Sequence, residues 1–277
     1  MPRARNGAVE LEYEVFGDAP ETILLINGLG SQMTRWPEAF CGKLVAAGYR
    51  AVRFDNRDTG LSTWFKAGDT YALSDMAADA IAVLDAVGAG RAHVAGVSMG
   101  GMITQAVAIN HPDRVASITS IMSASGAPGT LTPSPEAGAT LTATPPDPNA
   151  DLEAYLDHAV RHAGIIGSPG YPWPEGGLRA RALAEFQRAW NPTGSQRQML
   201  AIRGDGDRTE RLGKLTIPAV VLHGADDPLV PLVGGQSTAA AIPGAELRVI
   251  PGMGHDLPPA LFDIVADAIL AAAARAR

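Results

Sequence analysis

The 277-residue chain holds a single cysteine, Cys41. One thiol cannot close an internal disulfide, and it excludes a zinc cage built from cysteines. In its apolar surroundings Cys41 reads as a small filler on a helix. An excess of positive charge is also missing. The formal net charge is −7, with acidic and basic residues scattered along the chain. Nucleic acid needs a basic face, so it is set aside as a partner. No stretch reaches the roughly 18 consecutive apolar residues of a membrane span, so no membrane partner is expected. The opening residues "MPRARNGAVELEYEVFG" lack the continuous apolar run of a secretory leader. The expectation is a soluble, cytoplasmic protein.

What is present is apolar substance. Hydrophobic residues make up 46% of the chain, enough for the core of one large α/β domain carrying an insertion. "AVELEYEVF" (8–16) alternates like a half-exposed edge strand, and "TILLIN" (22–27) reads as a buried one. A helix is expected over 37–47, stopped by Gly48, then a strand over 50–55. Ser74 is expected to cap a helix carrying Met76, Ala80, Val83, Leu84 and Val87 at helical spacing. Strands at 115–123, 217–224 and 246–252 follow, with a final helix over 259–275. Strands separated by helices require crossovers. The fold class is therefore α/β, a mostly parallel central sheet flanked by helices.

Residues 126–213 break this rhythm. They offer no convincing strand, only helical pieces near 150–162, 178–190 and 195–203. The expected organisation is a core from 1–125 and 214–277, with 126–213 as a helical cap over the strand ends. Aromatic residues are only 5% of the chain, yet Tyr155, Tyr171, Trp173, Phe186 and Trp190 all fall in this segment. Tyr155, Trp173 and Trp190 are candidates for the wall of an apolar substrate site.

Three places can carry chemistry. "GVSMGG" matches G-x-S-x-G where a strand-like run turns into a helix-like one, with Ser98 as candidate nucleophile. Such a tight turn forces Ser98 into poorly populated backbone angles and requires Gly96 and Gly100 to lack side chains. It also aims the Met99 amide at whatever Ser98 attacks. "VVLHGADDPLVP" then offers an acid, Asp226 or Asp227. The spacing Gly224…Asp227…Pro231 favours Asp227, leaving Asp226 as a loop residue and His223 as structural. "IPGMGHDLP" supplies His255 on a glycine-flanked loop directly after a strand. His93 and His111 sit at element ends. His158 and His162, four apart near Glu153, have metal-like spacing but read as a polar helix face. Ser98, Asp227 and His255 each follow a strand, so a parallel sheet gathers them at one edge.

These motifs resemble those of the α/β-hydrolases, and the likeness runs from the first strand to the last helix, leaving 126–213 unmatched. The resemblance implies a nucleophile–acid–histidine order of Ser98, Asp227 and His255. It places the oxyanion loop at "NGLG" (27–30), where Asn27 replaces the usual histidine, so the loop's internal hydrogen bonds must differ. It implies an oxyanion hole from the Leu29 and Met99 amides. The family's D-x-R-G-x-G-x-S turn stands as "DNRDTGLS" (55–62), with Asp58 where glycine is usual. That variant, with "PGMGHDLP", is similar to small bacterial esterases, including methylesterases that trim anthracycline-type polyketides. The implied function is hydrolysis of small to medium, largely apolar carboxylic esters through an acyl-enzyme, with no metal or organic cofactor. The same triad also serves C–C bond hydrolases, lactonases and cofactor-free perhydrolases. A ligand-binding protein that has lost catalysis is the reading from a different class.

Overall fold

Short apolar runs bounded by turn residues form strands here, and the stretches between them form helices. The computed structural model describes residues 2–276. Its strands are β1 (Arg3–Asn6), β2 (Val9–Phe16), β3 (Thr22–Ile26), β4 (Arg50–Phe54), β5 (Ala92–Val97), β6 (Val115–Ile121), β7 (Ala219–Gly224) and β8 (Glu246–Ile250). Helices α1 (Glu38–Ala46), α2 (Leu73–Ala86), α3 (Met99–Asn110), α9 (Leu232–Ala241) and α10 (Phe262–Ala274) connect or follow them. Between β6 and β7 lie α4 (Pro135–Thr140), α5 (Leu152–Ile166), α6 (Gly177–Arg188), α7 (Gly194–Asp205) and α8 (Thr209–Leu212).

The strands form one sheet in the order β1-β2-β4-β3-β5-β6-β7-β8. Pairing is antiparallel for β1–β2 and β2–β4 and parallel for the rest. Strand β3 explains the layering. It is buried throughout, and its alternate residues feed opposite faces. Leu24 and Ile26 join Met76, Val83, Ile103 and Val107 of α2 and α3 in one core. Ile23 and Leu25 join Phe40, Leu44, Val265 and Ile269 of α1 and α10 in the other. Each such side chain contributes about 1.5–3 kcal/mol on burial. Cys41 is a buried member of the second core, and burial pushes its thiol up to about 12.

Two sequence expectations need correction. Strand β2 is not the edge, because β1 pairs outside it with Arg3 opposite Glu12 and Arg5 opposite Glu10. "RARN" has almost no apolar signal; Ala4 is buried while Arg3 and Arg5 ion-pair across the strands to Glu10 and Glu12. Ser74 does not cap α2. Ala72 takes the cap position and the Asp75 carboxylate accepts its N–H at 2.8 Å, so the helix starts two residues earlier than a Ser74 cap would give and Ser74 lies in its first turn. Helices α4, α8 and α9 lie outside the segments the sequence marks as helical. No helix among the described residues is long and apolar enough to cross a membrane. In the parallel part of the sheet, the ends of β3, β5, β7 and β8 open on one edge, where the site is built.

Candidate active site

The turn from β5 into α3 holds Ser98 at φ 55° and ψ −122°. A non-glycine residue there carries strain of about 1–3 kcal/mol. The neighbours show why glycine must surround it. A Cβ at Gly96 would lie 2.0 Å from the Gly100 carbonyl oxygen, and one at Gly100 would lie 2.3 Å from that of Ile26. The strain lifts the Ser98 hydroxyl clear of the sheet, where His255 Nε2 stands 2.9 Å from its Oγ. His255 Nδ1 in turn lies 2.7 Å from Asp227 Oδ2. An ionised carboxylate only accepts, so Nδ1 carries the proton and Nε2 is left to accept from Ser98.

Asp227 is buried at the end of β7, and its second oxygen accepts the Leu229 and Val230 N–H groups, each at 2.9 Å. Asp226 is exposed and takes another role. It accepts the Gly252 N–H at 2.7 Å and so ties the acid loop to the histidine loop. The spacing favours Asp227 over Asp226, and the geometry brings only Asp227 to His255. His223 packs beneath the acid and donates from Nε2 to the Val230 carbonyl at 2.8 Å. Burial holds its pKa below the ordinary histidine value, so it stays neutral.

The Leu29 N–H donates to no other described residue. Met99 opens α3, so its N–H is among those a helix leaves without an intrahelical acceptor. A Cβ at Gly28 would lie 3.2 Å from Ser98 Cβ, so the 27–30 loop passes directly beside Ser98. Both side-chain amide atoms of Asn27 are buried without partners among the described residues.

The 126–213 segment grips this edge from two sides. Near the histidine, the His255 N–H donates to the Ile166 carbonyl at 2.7 Å and Gly254 N–H to Ser168 Oγ at 2.9 Å. Asp256 accepts from Ser168 Oγ at 2.5 Å and from Trp173 Nε1 at 2.7 Å. Near the 27–30 loop, Arg197 pairs in fork fashion with Asp58 at 2.8 and 2.9 Å, and Arg188 lies 2.8 Å from the buried Asp55. Burial raises the Asp55 carboxyl despite that arginine. Asp58 itself sits at φ 66° and also accepts from Tyr71 Oη and the Phe65 N–H, each at 2.8 Å. None of these clamps has a local sequence signature.

The expected aromatic wall divides. Tyr155, Phe186 and Trp190 contact one another in a row. Trp173 is spent on Asp256, and its ring carries the Arg181 guanidinium 4.4 Å above it. Arg181 has no carboxylate within ion-pair distance among the described residues. Burial, aided by Arg35, draws its pKa down to about 10, with Glu185 and Asp256 opposing. His158 and His162 stack at 3.8 Å with no third ligand among the described residues. A cleft of about 510 Å³ runs past Ser168, Trp173, Asp226 and Asp256, and another of about 570 Å³ lies between Asp157, Trp173 and Arg179. Ser98 lines neither.

The sequence pattern of the Alpha/beta hydrolase family matches residues 23–268. The rhodomycin D methylesterase DnrP of Streptomyces peucetius is 30% identical, covering 96% of this chain and 95% of its own. A 2-hydroxy-6-oxononadienedioate/2-hydroxy-6-oxononatrienedioate hydrolase of Dechloromonas aromatica is 28% identical, covering 91% and 87%. Among solved structures, the meta-cleavage product hydrolase of Pseudomonas fluorescens IP01 superimposes with a TM-score of 0.80 at 18% identity, covering 100% and 98%.

Proposed function

The chain belongs to the alpha/beta hydrolase family, and from that premise we propose that it is a serine esterase. The observation that carries the reading is the unbroken relay from Ser98 through His255 to Asp227, at 2.9 and 2.7 Å. His255 Nε2 takes the Ser98 proton as Oγ attacks the ester carbonyl carbon. Asp227 stabilises the imidazolium that forms. The Leu29 and Met99 amides receive the oxyanion, each worth about 3–4 kcal/mol of transition-state stabilisation. His255 then gives its proton to the departing alcohol, leaving an acyl group on Ser98. Water activated by the same imidazole releases the acid and restores the hydroxyl.

The 126–213 segment is read as the cap that shapes the substrate site, with the Tyr155, Phe186 and Trp190 row as its apolar face. Trp173 is reassigned from wall to clamp. The rhodomycin D methylesterase relative supports methyl esters as the kind of substrate. A cytoplasmic setting suits the single unpaired thiol. A second reading, C–C bond hydrolysis of an acid-bearing substrate, is favoured by one observation. The Arg181 guanidinium, stacked on Trp173 with no carboxylate in ion-pair distance among the described residues, offers a counter-charge to a carboxylate.

A p-nitrophenyl ester series from acetyl to dodecanoyl, run beside a 2-hydroxy-6-oxo-dienoate, separates these readings. Turnover of the esters that vanishes in Ser98→Ala supports the esterase. Turnover of the dienoate alone would move the assignment to C–C cleavage.

A further inference from the structure

The oxyanion loop receives nothing from the Asn27 side chain, so its geometry must be fixed from elsewhere. A buried side chain 168 residues away supplies the missing contact, with Gln198 Oε1 accepting the Gly30 N–H at 2.7 Å. Nε2 of the same side chain donates to the Arg57 carbonyl at 2.9 Å and to Thr59 Oγ1 at 2.8 Å. Gln198 is fully buried (0% exposed), so its bonds to both loops are shielded from solvent. Within the turn, Ser31 N–H donates to the Gly28 carbonyl at 3.2 Å and Ser31 Oγ to the Leu29 carbonyl at 3.3 Å. Asn56 Nδ2 donates to the Asn27 carbonyl at 3.1 Å, so Gln198 is the one contact on the Gly30 N–H among the described residues. Gly30 lies at φ 62°, a region open to glycine without a Cβ penalty. The helix bearing Gln198 is itself fixed. Arg197 forks onto Asp58, and a Cβ at Gly194 would lie 2.2 Å from the Asp58 carbonyl oxygen.

We infer that Gln198 is a positioning residue for oxyanion stabilisation, supplied by the cap segment to the core. By holding the Gly30 N–H it anchors the peptide that leaves Leu29. That restricts rotation about the Leu29 backbone and keeps the Leu29 N–H aimed beside Ser98. The contact costs no reorganisation when charge develops on the substrate oxygen. The inference rests on the esterase reading and on the oxyanion role of Leu29. It makes the 55–62 turn and α7 parts of one support, with Thr59 and the Arg57 carbonyl as its fixed ends.

The test uses the full chain with p-nitrophenyl butyrate as substrate and a short alkylboronic acid as tetrahedral-intermediate analogue. Gln198→Met keeps the volume and removes all three bonds. Its kcat is expected to fall about 10- to 100-fold with KM within about threefold, and boronic acid affinity to fall by the same factor. Gln198→Glu, held neutral by burial, keeps an acceptor toward Gly30 and should recover about tenfold of that loss. A Met variant with near-native kcat overturns the inference. So does a loss of kcat without matching loss of boronic acid affinity, the signature of simple destabilisation. Should the Met variant not fold, Thr59→Val removes one anchor of the same side chain. It should lower kcat and analogue affinity together by about three- to tenfold, and an unchanged kcat overturns the inference. Native turnover with an unaffected Met variant sinks this inference alone. An inactive native chain sinks the esterase reading and this inference with it.

Discussion

Ser98 shows how much of the chemistry is decided by backbone sterics. Its φ of 55° is tolerated because Gly96 and Gly100 let main chain approach where a Cβ would collide. Gly96→Ala should therefore lower stability by about 2–4 kcal/mol, or force the elbow to open, read as a Tm drop with lost activity. A variant with native Tm and kcat would contradict the close approach to Gly100. Asp227→Asn keeps the shape but can present an amide N–H to His255 Nδ1, turning the proton to Nε2 and removing the acceptor for Ser98. Its kcat should fall about 10³- to 10⁴-fold with little change in KM. Asp226→Asn, by contrast, should stay within about tenfold, because Asp226 holds only the Gly252 N–H. Equal losses in both would contradict the assignment of Asp227 as the partner of His255.

At the scale of elements, what was legible had a local signature. The elbow glycines, the acid loop after β7 and the glycine-flanked histidine after β8 each lie within a few neighbouring residues, and the parallel sheet brought them together. Strand β1 was not legible, because a four-residue edge strand with three polar side chains carries no periodicity. The start of α2 was misread because Asp75 can offer an oxygen to the Ala72 N–H as readily as Ser74 can cap. The clamps Arg197–Asp58 and Gln198–Gly30 join residues 139 and 168 positions apart, which no spacing rule can pair. Helix α5 carries a consequence of its own. His158 and His162 stack at 3.8 Å beside Arg161. Burial holds both below the ordinary value of 6.5, with charge repulsion from Arg161 and, for His158, from His162 adding to it. Histidines with a depressed folded-state pKa leave stability intact above about pH 6.5 and subtract from it as pH falls below, because the unfolded chain binds protons first. Tm should thus fall from pH 7.5 to pH 5.5, and less steeply in His162→Gln. An unchanged slope in that variant would place the acid sensitivity elsewhere, for example at the buried His223.

Across the whole molecule, the 126–213 segment and the rest of the chain do not read as independent units. The segment holds the histidine loop through Ile166, Ser168 and Trp173, and the 27–30 loop through Gln198. Urea unfolding should accordingly be one transition, with loss of activity, tryptophan fluorescence and far-UV circular dichroism coinciding. Activity lost well before secondary structure would mean that the cap releases first. The central claim remains that Ser98 is the nucleophile of a hydrolase. It is tested most directly by labelling the native chain with a fluorophosphonate and mapping the adduct by peptide mass spectrometry. One label per chain is expected, on Ser98, and none after His255→Ala at matched times, because the hydroxyl then lacks its base. A label on another residue, or equal labelling of a Ser98→Ala chain, would contradict it.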